Sequence, residues 1–139
     1  MKSCDALTAT FREQGLRVTP QRQAIFRLLD GDDSHPTVES LFDRARSEMP
    51  TLSLKTVYQT VHDLEALGEV RVLDLGTGSV RVDPNVDGEH HHLVCTQCGR
   101  VRDVPVSFEG VRLPPRLRRD FTVDAVEVIF RGRCTTCSA

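Results

Sequence analysis

Four of the five cysteines fall in two pairs of identical spacing, Cys95-x-x-Cys98 and Cys134-x-x-Cys137, whereas Cys4 stands alone. Each pair can direct two sulfurs to one ion through a tight turn of the backbone. Two such pairs complete a tetrahedral four-thiolate site suited to zinc. The alternative is a redox-active C-x-x-C pair of the thioredoxin type. Such a pair normally lies beside a βαβ pattern, which the surrounding sequence lacks. The spacing therefore predicts a structural zinc site.

A run of three histidines forms the second group that could bind a metal, within Glu89-His90-His91-His92. In an extended strand, alternation places His90 and His92 on one face and His91 on the other. The first two can therefore chelate one ion, which then needs further ligands. The candidates for those ligands are Asp83, Asp103 and His35.

Composition and charge limit the classes of function. The chain has 139 residues, with 18 Lys and Arg against 20 Asp and Glu. The net charge of -2 excludes a polycation that coats nucleic acid, but it leaves room for a DNA-binding module with local basic positions. No apolar run approaches the roughly 18 residues that span a bilayer. Residues 1–5 lead into no apolar secretory segment, so we expect a cytoplasmic protein without a membrane partner.

Three amphipathic segments in the first half of the chain predict helices. Apolar residues recur at helical spacing, as with Leu7 and Phe11 in the first segment. Thr19-Pro20 combines an N-cap with a proline at the first helical position, which marks a helix start. The helices are expected over 4–14, from Thr19-Pro20 to near Gly31, and from Pro36-Thr37 to Pro50.

A fourth helix is predicted over 54–67, between the N-cap Ser53 and Gly68, with apolar residues close to a 3.6-residue period. The pattern then changes to a period of two around Gly76-Thr77-Gly78, which predicts a short β-hairpin. This order is that of a winged helix-turn-helix, in which the helix over 54–67 enters the DNA major groove. The alternative is a generic helical bundle that carries a hairpin.

The turn-rich stretch around Pro84–Gly88 predicts a domain boundary. We therefore expect an α+β protein: a winged-helix domain over 1–83, a hinge over 84–89 and a metal-binding dimerisation domain over 90–139. Fifty residues of short strands bury little core, so structural metal and a partner subunit are expected. The elements expected there are strands over 92–94, 101–104 and 123–131, and a short helix from Pro114-Pro115 through Phe121.

Five motifs follow one another along nearly the whole chain. They are Arg17-Val18-Thr19-Pro20-Gln21-Arg22, His35-Pro36-Thr37, Ser53-x-x-Thr56-Val57-Tyr58, His90-x-His92-x-x-Cys95-x-x-Cys98-Gly99 and Cys134-x-x-Cys137. In this order they resemble the ferric uptake regulator superfamily. The resemblance implies a homodimeric, metal-dependent transcriptional repressor that binds palindromic operator DNA. It also implies an N-terminal winged helix followed by a small α/β dimerisation domain.

The resemblance assigns two metals to this chain. It implies structural zinc on Cys95, Cys98, Cys134 and Cys137. It implies a regulatory Fe(II) or Mn(II) on His35, Asp83, His90, His92 and Asp103, with Asp87 as the alternative to Asp83. Three imidazoles and two carboxylates form a mixed nitrogen and oxygen set that suits these ions better than it selects zinc.

Two positions indicate which branch of the family the chain resembles. Asp103 stands where iron sensors often carry Glu, and this favours a peroxide-responsive repressor released by iron-catalysed oxidation. Gln59 stands where iron-uptake regulators commonly carry Arg. The alternatives are an iron-responsive uptake regulator and a non-haem iron enzyme, because His90, His92 and a carboxylate resemble a facial triad. No substrate pocket is suggested, so we expect a protein that is not an enzyme.

The DNA contacts are expected on and near the helix over 54–67. Its polar residues would face the bases, and two arginines near the second helix would meet phosphates. The expected contacts are Lys55, Thr56, Tyr58 and Gln59 on the helix, with Arg17 and Arg22 before and within the second helix.

Overall fold

The computed structural model describes residues 1–138 and divides into two compact units, Met1–Asp87 and a second that begins at Gly88. The division falls inside the turn-rich stretch over 84–89. The first unit is helical with one hairpin, and the second is built on a three-stranded sheet. Among the described residues, every helix is too short or too polar to cross a membrane.

Four helices form most of the first unit, as the apolar spacing predicts. Each begins after a Ser or Thr whose side chain accepts a hydrogen bond from a first-turn backbone N–H. The third helix ends before Pro50, because the chain turns through hydrogen bonds from Glu48 and Met49 to the Ala45 carbonyl. The helices are α1 (Cys4–Glu13), α2 (Pro20–Leu29), α3 (Val38–Ala45) and α4 (Leu54–Ala66).

One apolar core joins the helices of the first unit. Phe11 of α1 and Phe26 of α2 meet edge to face, with ring centroids 4.8 Å apart. Such aromatic pairs add to the free energy gained from burying the rings. Further fully buried members of this core are Leu7, Ile25, Leu29, Leu41, Val57, Leu64 and Val82.

A hairpin follows α4 and completes the first unit. Its strands are β1 (Arg71–Leu73) and β2 (Arg81–Asp83), which pair antiparallel with Val72 opposite Val82. The Val82 side chain is fully buried in the helical core, which attaches the hairpin to the helices. Helices, a polar-faced α4 and a hairpin together form the predicted winged helix-turn-helix.

The second unit is a mixed sheet with strand order β4-β3-β5. Strand β3 (His91–Cys95) pairs antiparallel with β4 (Val101–Val104) and parallel with β5 (Ile129–Gly132). A single helical turn, α5 (Thr135–Ser138), follows β5 and carries the last cysteine. Strand β5 lies at one edge of the sheet, so its outer backbone groups are not paired within the sheet.

Two predictions for the second unit are wrong. The expected helix from Pro114 through Phe121 is a 3₁₀ turn over Pro115–Leu117, because its apolar residues stay exposed and gain no packing that would hold a helix. The expected strand over 123–131 forms only from Ile129. In the observed register His92 pairs with Ile129, so residues 123–127 would need partners at 86–90, which is the turn-rich stretch.

Candidate metal centres and nucleic-acid interface

The four paired cysteines come together at the end of the sheet in the second unit. Cys95 ends β3, Cys98 follows in a turn closed by a hydrogen bond from Gly99 N to Cys95 O, and the second pair flanks the start of α5. All four sulfurs lie within 4.8 Å of one another, and Cys98 Sγ is 3.8 Å from Cys134 Sγ. Zinc–sulfur bonds of about 2.3 Å place the sulfurs of a tetrahedron about 3.8 Å apart, so the cluster fits zinc.

Backbone amides prepare this cluster for thiolate chemistry. The N–H of Cys134 donates to Cys95 Sγ, and with the amides of Cys98 and Gln97 it lowers the Cys95 pKa to about 6. The Cys134 pKa is lowered by the N–H of Cys137. Hydrogen bonding with the Cys134 and Cys98 sulfurs raises the Cys137 pKa to about 12. Four neighbouring sulfurs cannot all ionise alone, and a divalent cation supplies the charge that lets them do so.

The first unit holds two of the predicted regulatory ligands side by side. His35 precedes α3 and Asp83 ends β2, and both side chains are buried, with exposed fractions of 1% and 0%. His35 Nδ1 lies 3.0 Å from the Asp33 carbonyl, which can only accept, so Nδ1 carries the proton. In the neutral ring the lone pair is then on Nε2, which lies 3.6 Å from Asp83 Oδ1. Two acceptors that face each other in this way suit a cation between them.

Asp83, rather than the alternative Asp87, is the carboxylate beside His35. Asp83 is held in place by Asn85 N, which donates to Oδ1 at 2.8 Å, whereas Asp87 is exposed at the end of the first unit. The sequence Asp83-Pro84-Asn85 forms an Asx turn, a local signal that could have favoured Asp83 from sequence alone.

The second unit holds the other three predicted ligands on one face of its sheet. His90 Nε2 and His92 Nε2 lie 3.8 and 3.9 Å from Asp103 Oδ1, and His92 pairs directly with Asp103 across β3 and β4. The two imidazole centroids are 5.0 Å apart. The prediction that His90 and His92 share a face is therefore confirmed. Imidazole nitrogens and a carboxylate converge as donors for a divalent ion.

His91 lies on the opposite face and has a different environment. Its ring packs on Phe108 with centroids 4.8 Å apart, and Val128 N donates to its Nδ1 at 3.1 Å. A nitrogen that accepts from an amide is unprotonated, so the proton of the neutral ring is on Nε2. His91 thus fixes the chain ahead of β5 to β3.

The residues predicted to read DNA occupy the outer side of α4. Lys55, Tyr58 and Gln59 are exposed, and the Tyr58 hydroxyl donates to Glu39 Oε1 at 2.6 Å. This hydrogen bond lowers the Glu39 pKa and raises the Tyr58 pKa. Thr56 is half-buried and its hydroxyl bonds with Ser53 Oγ at 2.9 Å, so it contributes to the N-cap of α4.

The structure gives the two predicted phosphate contacts different surroundings. Arg17 is exposed just before α2. Arg22 forms an ion pair with Asp63 of α4 at 2.7 Å, its side chain is 13% exposed, and its guanidinium lies 5.4 Å from the Phe11 ring centroid. These contacts favour a role for Arg22 in joining α2 to α4. Asp63 also accepts from Gln59 Nε2 at 2.9 Å.

Sequence reasoning missed Glu39 and gave Asp63 no role. For Asp63 a signal was present, because Gln59 and Asp63 are four residues apart on one helix and such pairs meet. For Glu39 no local signal exists, because its partner Tyr58 is 19 positions away on another helix.

Comparison with known proteins places the chain in a family. The model of the ferric uptake regulator family matches residues 13–111. The chain belongs to the ferric uptake regulator family. The match begins in α1 and includes the winged helix, the histidine run, the first cysteine pair and Asp103.

Individual members of the family match over almost the whole chain. The peroxide-responsive repressor PerR of Staphylococcus aureus is 34% identical over 131 residues, which are 93% of this chain and 87% of that protein. A zinc-bound manganese uptake regulator superimposes with a TM-score of 0.70 at 28% identity, covering 96% of this chain and 99% of its own. The ferric uptake regulator Fur of Helicobacter pylori, at 17% identity, has a TM-score of 0.74 and shares the fold over 100% and 98% of the two chains.

Proposed function

We propose that this member of the ferric uptake regulator family is a metal-dependent transcriptional repressor that binds double-stranded operator DNA as a homodimer and is released by hydrogen peroxide. The observation that carries the metal requirement is the pair of buried acceptors, His35 Nε2 and Asp83 Oδ1, facing each other at 3.6 Å. The similarity to a peroxide-responsive repressor supports the choice of signal.

The regulatory ion is proposed to take its ligands from both groups described above. His35 and Asp83 supply two donors, and two ligands are too few for a stable site. His90, His92 and Asp103 supply three more. Such a set of five nitrogen and oxygen donors would suit Fe(II) or Mn(II). The four cysteines are proposed to hold zinc separately.

Peroxide sensitivity is proposed to depend on which of these two ions occupies the regulatory site. Fe(II) held by these residues would mediate the reaction in which hydrogen peroxide gives one oxygen atom to an imidazole and leaves as water, whereas Mn(II) would react poorly. His35 and His90 would lie against the ion, so their rings are the expected targets of the oxidant. An oxidised imidazole is a weaker donor and holds the ion less tightly. Because metal and operator affinity are linked, the loss of metal lowers operator affinity.

DNA recognition is assigned to α4 and the hairpin of the first unit. Lys55, Tyr58 and Gln59 are exposed on α4 and are proposed to enter the major groove with Thr56 at its first turn. Arg17 is proposed to meet a phosphate. Arg22, with its carboxylate partner on α4, is proposed to orient the reading helix instead of contacting DNA directly.

Dimerisation is assigned to the second unit, whose apolar surface supports it. Large apolar side chains there remain exposed, including Phe121 at 75% and Leu117 at 54%. Exposed apolar area of this kind is typical of an interface. The open edge of β5 is a further surface on which a second copy can pair.

Operator binding measured with each of the two ions, before and after peroxide, and compared with the zinc-only protein tests the proposal. The protein is purified with zinc alone and then supplied with Fe(II) or Mn(II), each with and without hydrogen peroxide. Operator affinity should rise with either ion and should fall after peroxide only in the Fe(II) form. If operator affinity instead follows the Fe(II) concentration and does not respond to peroxide, an iron-responsive uptake regulator would be favoured. Many turnovers of peroxide by an unaltered protein would instead favour an enzyme.

A further inference from the structure

His35 has an unusual backbone conformation for a ligand residue. Its φ is +51°, and it is the one non-glycine residue with positive φ among residues 1–138. Side chains with a Cβ rarely adopt this left-handed region, and they stay there when neighbouring contacts hold them. The contacts that hold the His35 loop therefore control where its imidazole lies.

Three successive residues of β2 make those contacts. Arg81 Nη1 donates to the His35 carbonyl at 3.2 Å, Val82 N donates to the Pro36 carbonyl at 2.8 Å, and the Asp83 carboxylate faces the His35 ring. The Val82 contact uses only backbone atoms, and Asp83 is itself a proposed ligand. Arg81 is thus the side chain of β2, outside the ligand set, that holds the loop, while Asp32 accepts from Ser34 N within the loop itself.

The Arg81 guanidinium has a second anchor in the turn of the hairpin. Its Nε donates to Thr77 Oγ1 at 3.2 Å, and the Thr77 hydroxyl donates to the Ser79 carbonyl at 3.3 Å. A planar guanidinium held at two points has little freedom, which fixes the direction of its remaining N–H groups. Lysine, with a single ammonium on a flexible stem, cannot reproduce both contacts.

We infer that Arg81 is a positioning residue for the regulatory metal: it holds the His35 backbone in the left-handed conformation that turns Nε2 to Asp83. The inference rests on the proposed function, since it assigns to Arg81 a part in metal affinity. It acts through the His35 carbonyl and does not touch the ion. Groups that orient metal ligands typically change affinity by about 10- to 100-fold when removed.

Calorimetric titration of the full-length, zinc-loaded protein with Mn(II) tests the inference. Arg81→Ala should weaken Mn(II) binding about tenfold or more, and Arg81→Lys should recover only part of the loss. Arg12→Ala is the control: it removes an exposed arginine of α1, whose side chain makes no hydrogen bond within the described residues. It should stay within about twofold of the wild type. The zinc content should be the same in all four proteins.

Amide exchange gives a readout that does not need the regulatory ion. In the zinc-only protein, exchange at Val82 N should be faster in Arg81→Ala than in the wild type, and unchanged in Arg12→Ala. If Arg81→Ala does not fold, Thr77→Val removes one anchor of the guanidinium and should weaken Mn(II) binding several-fold. Wild-type Mn(II) affinity and slow Val82 exchange in the Arg81 or Thr77 variant would overturn the inference. A wild-type protein that binds no Mn(II) would instead overturn the proposed function.

Discussion

The Tyr58 hydroxyl donates to Glu39 Oε1 across a distance of 2.6 Å, which links the exposed face of α4 to the first turn of α3. The tyrosine side chain is 46% exposed, so one edge of its ring remains open to a ligand while its hydroxyl is held. A side chain held before binding loses less entropy when it meets DNA. The negative charge of Glu39 would repel phosphates if α4 binds DNA, so the hydrogen bond and the charge would affect operator affinity in opposite directions.

Changes at Tyr58 should weaken operator binding without disturbing either metal. Tyr58→Ala should lower operator affinity by roughly 5- to 150-fold, since a good base contact is worth about 1–3 kcal/mol. Lys55→Ala should also lower operator affinity and, because it removes a positive charge from the DNA-facing side of α4, should reduce the salt dependence of binding. Fluorescence anisotropy with operator and unrelated duplexes measures both effects. Unchanged affinity in both variants would mean that α4 is not the reading helix.

A double-mutant cycle separates the hydrogen bond from the Glu39 charge. Glu39→Gln keeps an acceptor for Tyr58 and removes the charge, so it should bind the operator as tightly as the wild type or more tightly. Glu39→Ala and Tyr58→Phe should each weaken binding, and their combination should cost less than the sum. Full additivity would show that the two residues act independently.

The zinc cluster should be needed for the fold of the second unit. Cys95→Ser or Cys134→Ser removes one of four converging thiolates, and the unit has few other buried side chains to hold it together. We expect each variant to lose tightly bound zinc and the dimer together, by metal analysis and sedimentation. Cys4→Ser is the matched control, because Cys4 lies in α1 outside the cluster. A zinc-free variant that remains dimeric and binds DNA would contradict the assignment.

The sequence was most informative where structure depends on near neighbours. Ser53 and Thr19 are N-caps, and a cap needs only residues within three positions, so the helix starts could be predicted. The shared face of His90 and His92 follows from strand alternation alone. The C-x-x-C spacing similarly fixes its own turn, although the meeting of the two pairs depends on the whole sheet.

The parts that could not be predicted depend on residues far apart in the chain. The apolar residues over 114–121 and 123–131 predict a helix and a strand, but among the described residues of one chain Leu117 and Phe121 remain exposed. Periodicity reports that a face is apolar and does not report what buries it. Likewise, the sequence alone does not distinguish an exposed arginine from an arginine in an ion pair. Only the packing of α2 on α4 shows that Arg22 meets Asp63.

The Arg22–Asp63 pair should contribute to stability rather than to phosphate binding. Arg22→Ala leaves the largely buried Asp63 carboxylate without its cationic partner and should lower the free energy of unfolding by about 1–3 kcal/mol. Arg17→Ala, at the surface, should change it by less than about 0.5 kcal/mol. Urea unfolding measures both. In DNA titrations the ranking should reverse, with Arg17→Ala reducing the salt slope by about 1. Equal stability of the two variants would restore a DNA-contact role for Arg22.

Glu69 should make the first unit sensitive to acid. Burial opposes its ionisation, but hydrogen bonds from Lys2 outweigh that effect and lower the Glu69 pKa below its ordinary value of 4.5. A lowered pKa in the folded state adds stability that is present above about pH 4.5 and is lost as the pH falls through the folded-state pKa. Glu69→Gln should lower the unfolding free energy at pH 7 by about 1–2 kcal/mol and flatten this acid dependence. Glu65→Gln, on the exposed side of α4, is the control. Parallel pH profiles for the wild type and Glu69→Gln would show that the Lys2 contact contributes nothing.

Peroxide treatment of the Fe(II) form should modify the imidazoles of the proposed regulatory site. The lone pair of His35 Nε2 is fixed by the Nδ1 hydrogen bond to Asp33 O, so this atom is held where the ion is proposed to bind. We expect one added oxygen atom on the peptides that carry His35 or His90, and none with Mn(II). Asp103→Glu should blunt the response, because one extra methylene moves a carboxylate oxygen that lies 3.8 and 3.9 Å from His90 and His92. Mass spectrometry of the treated protein shows which residues have gained oxygen. Intact histidines together with oxidised cysteines and released zinc would point to a thiol-based response at the cysteine cluster or Cys4.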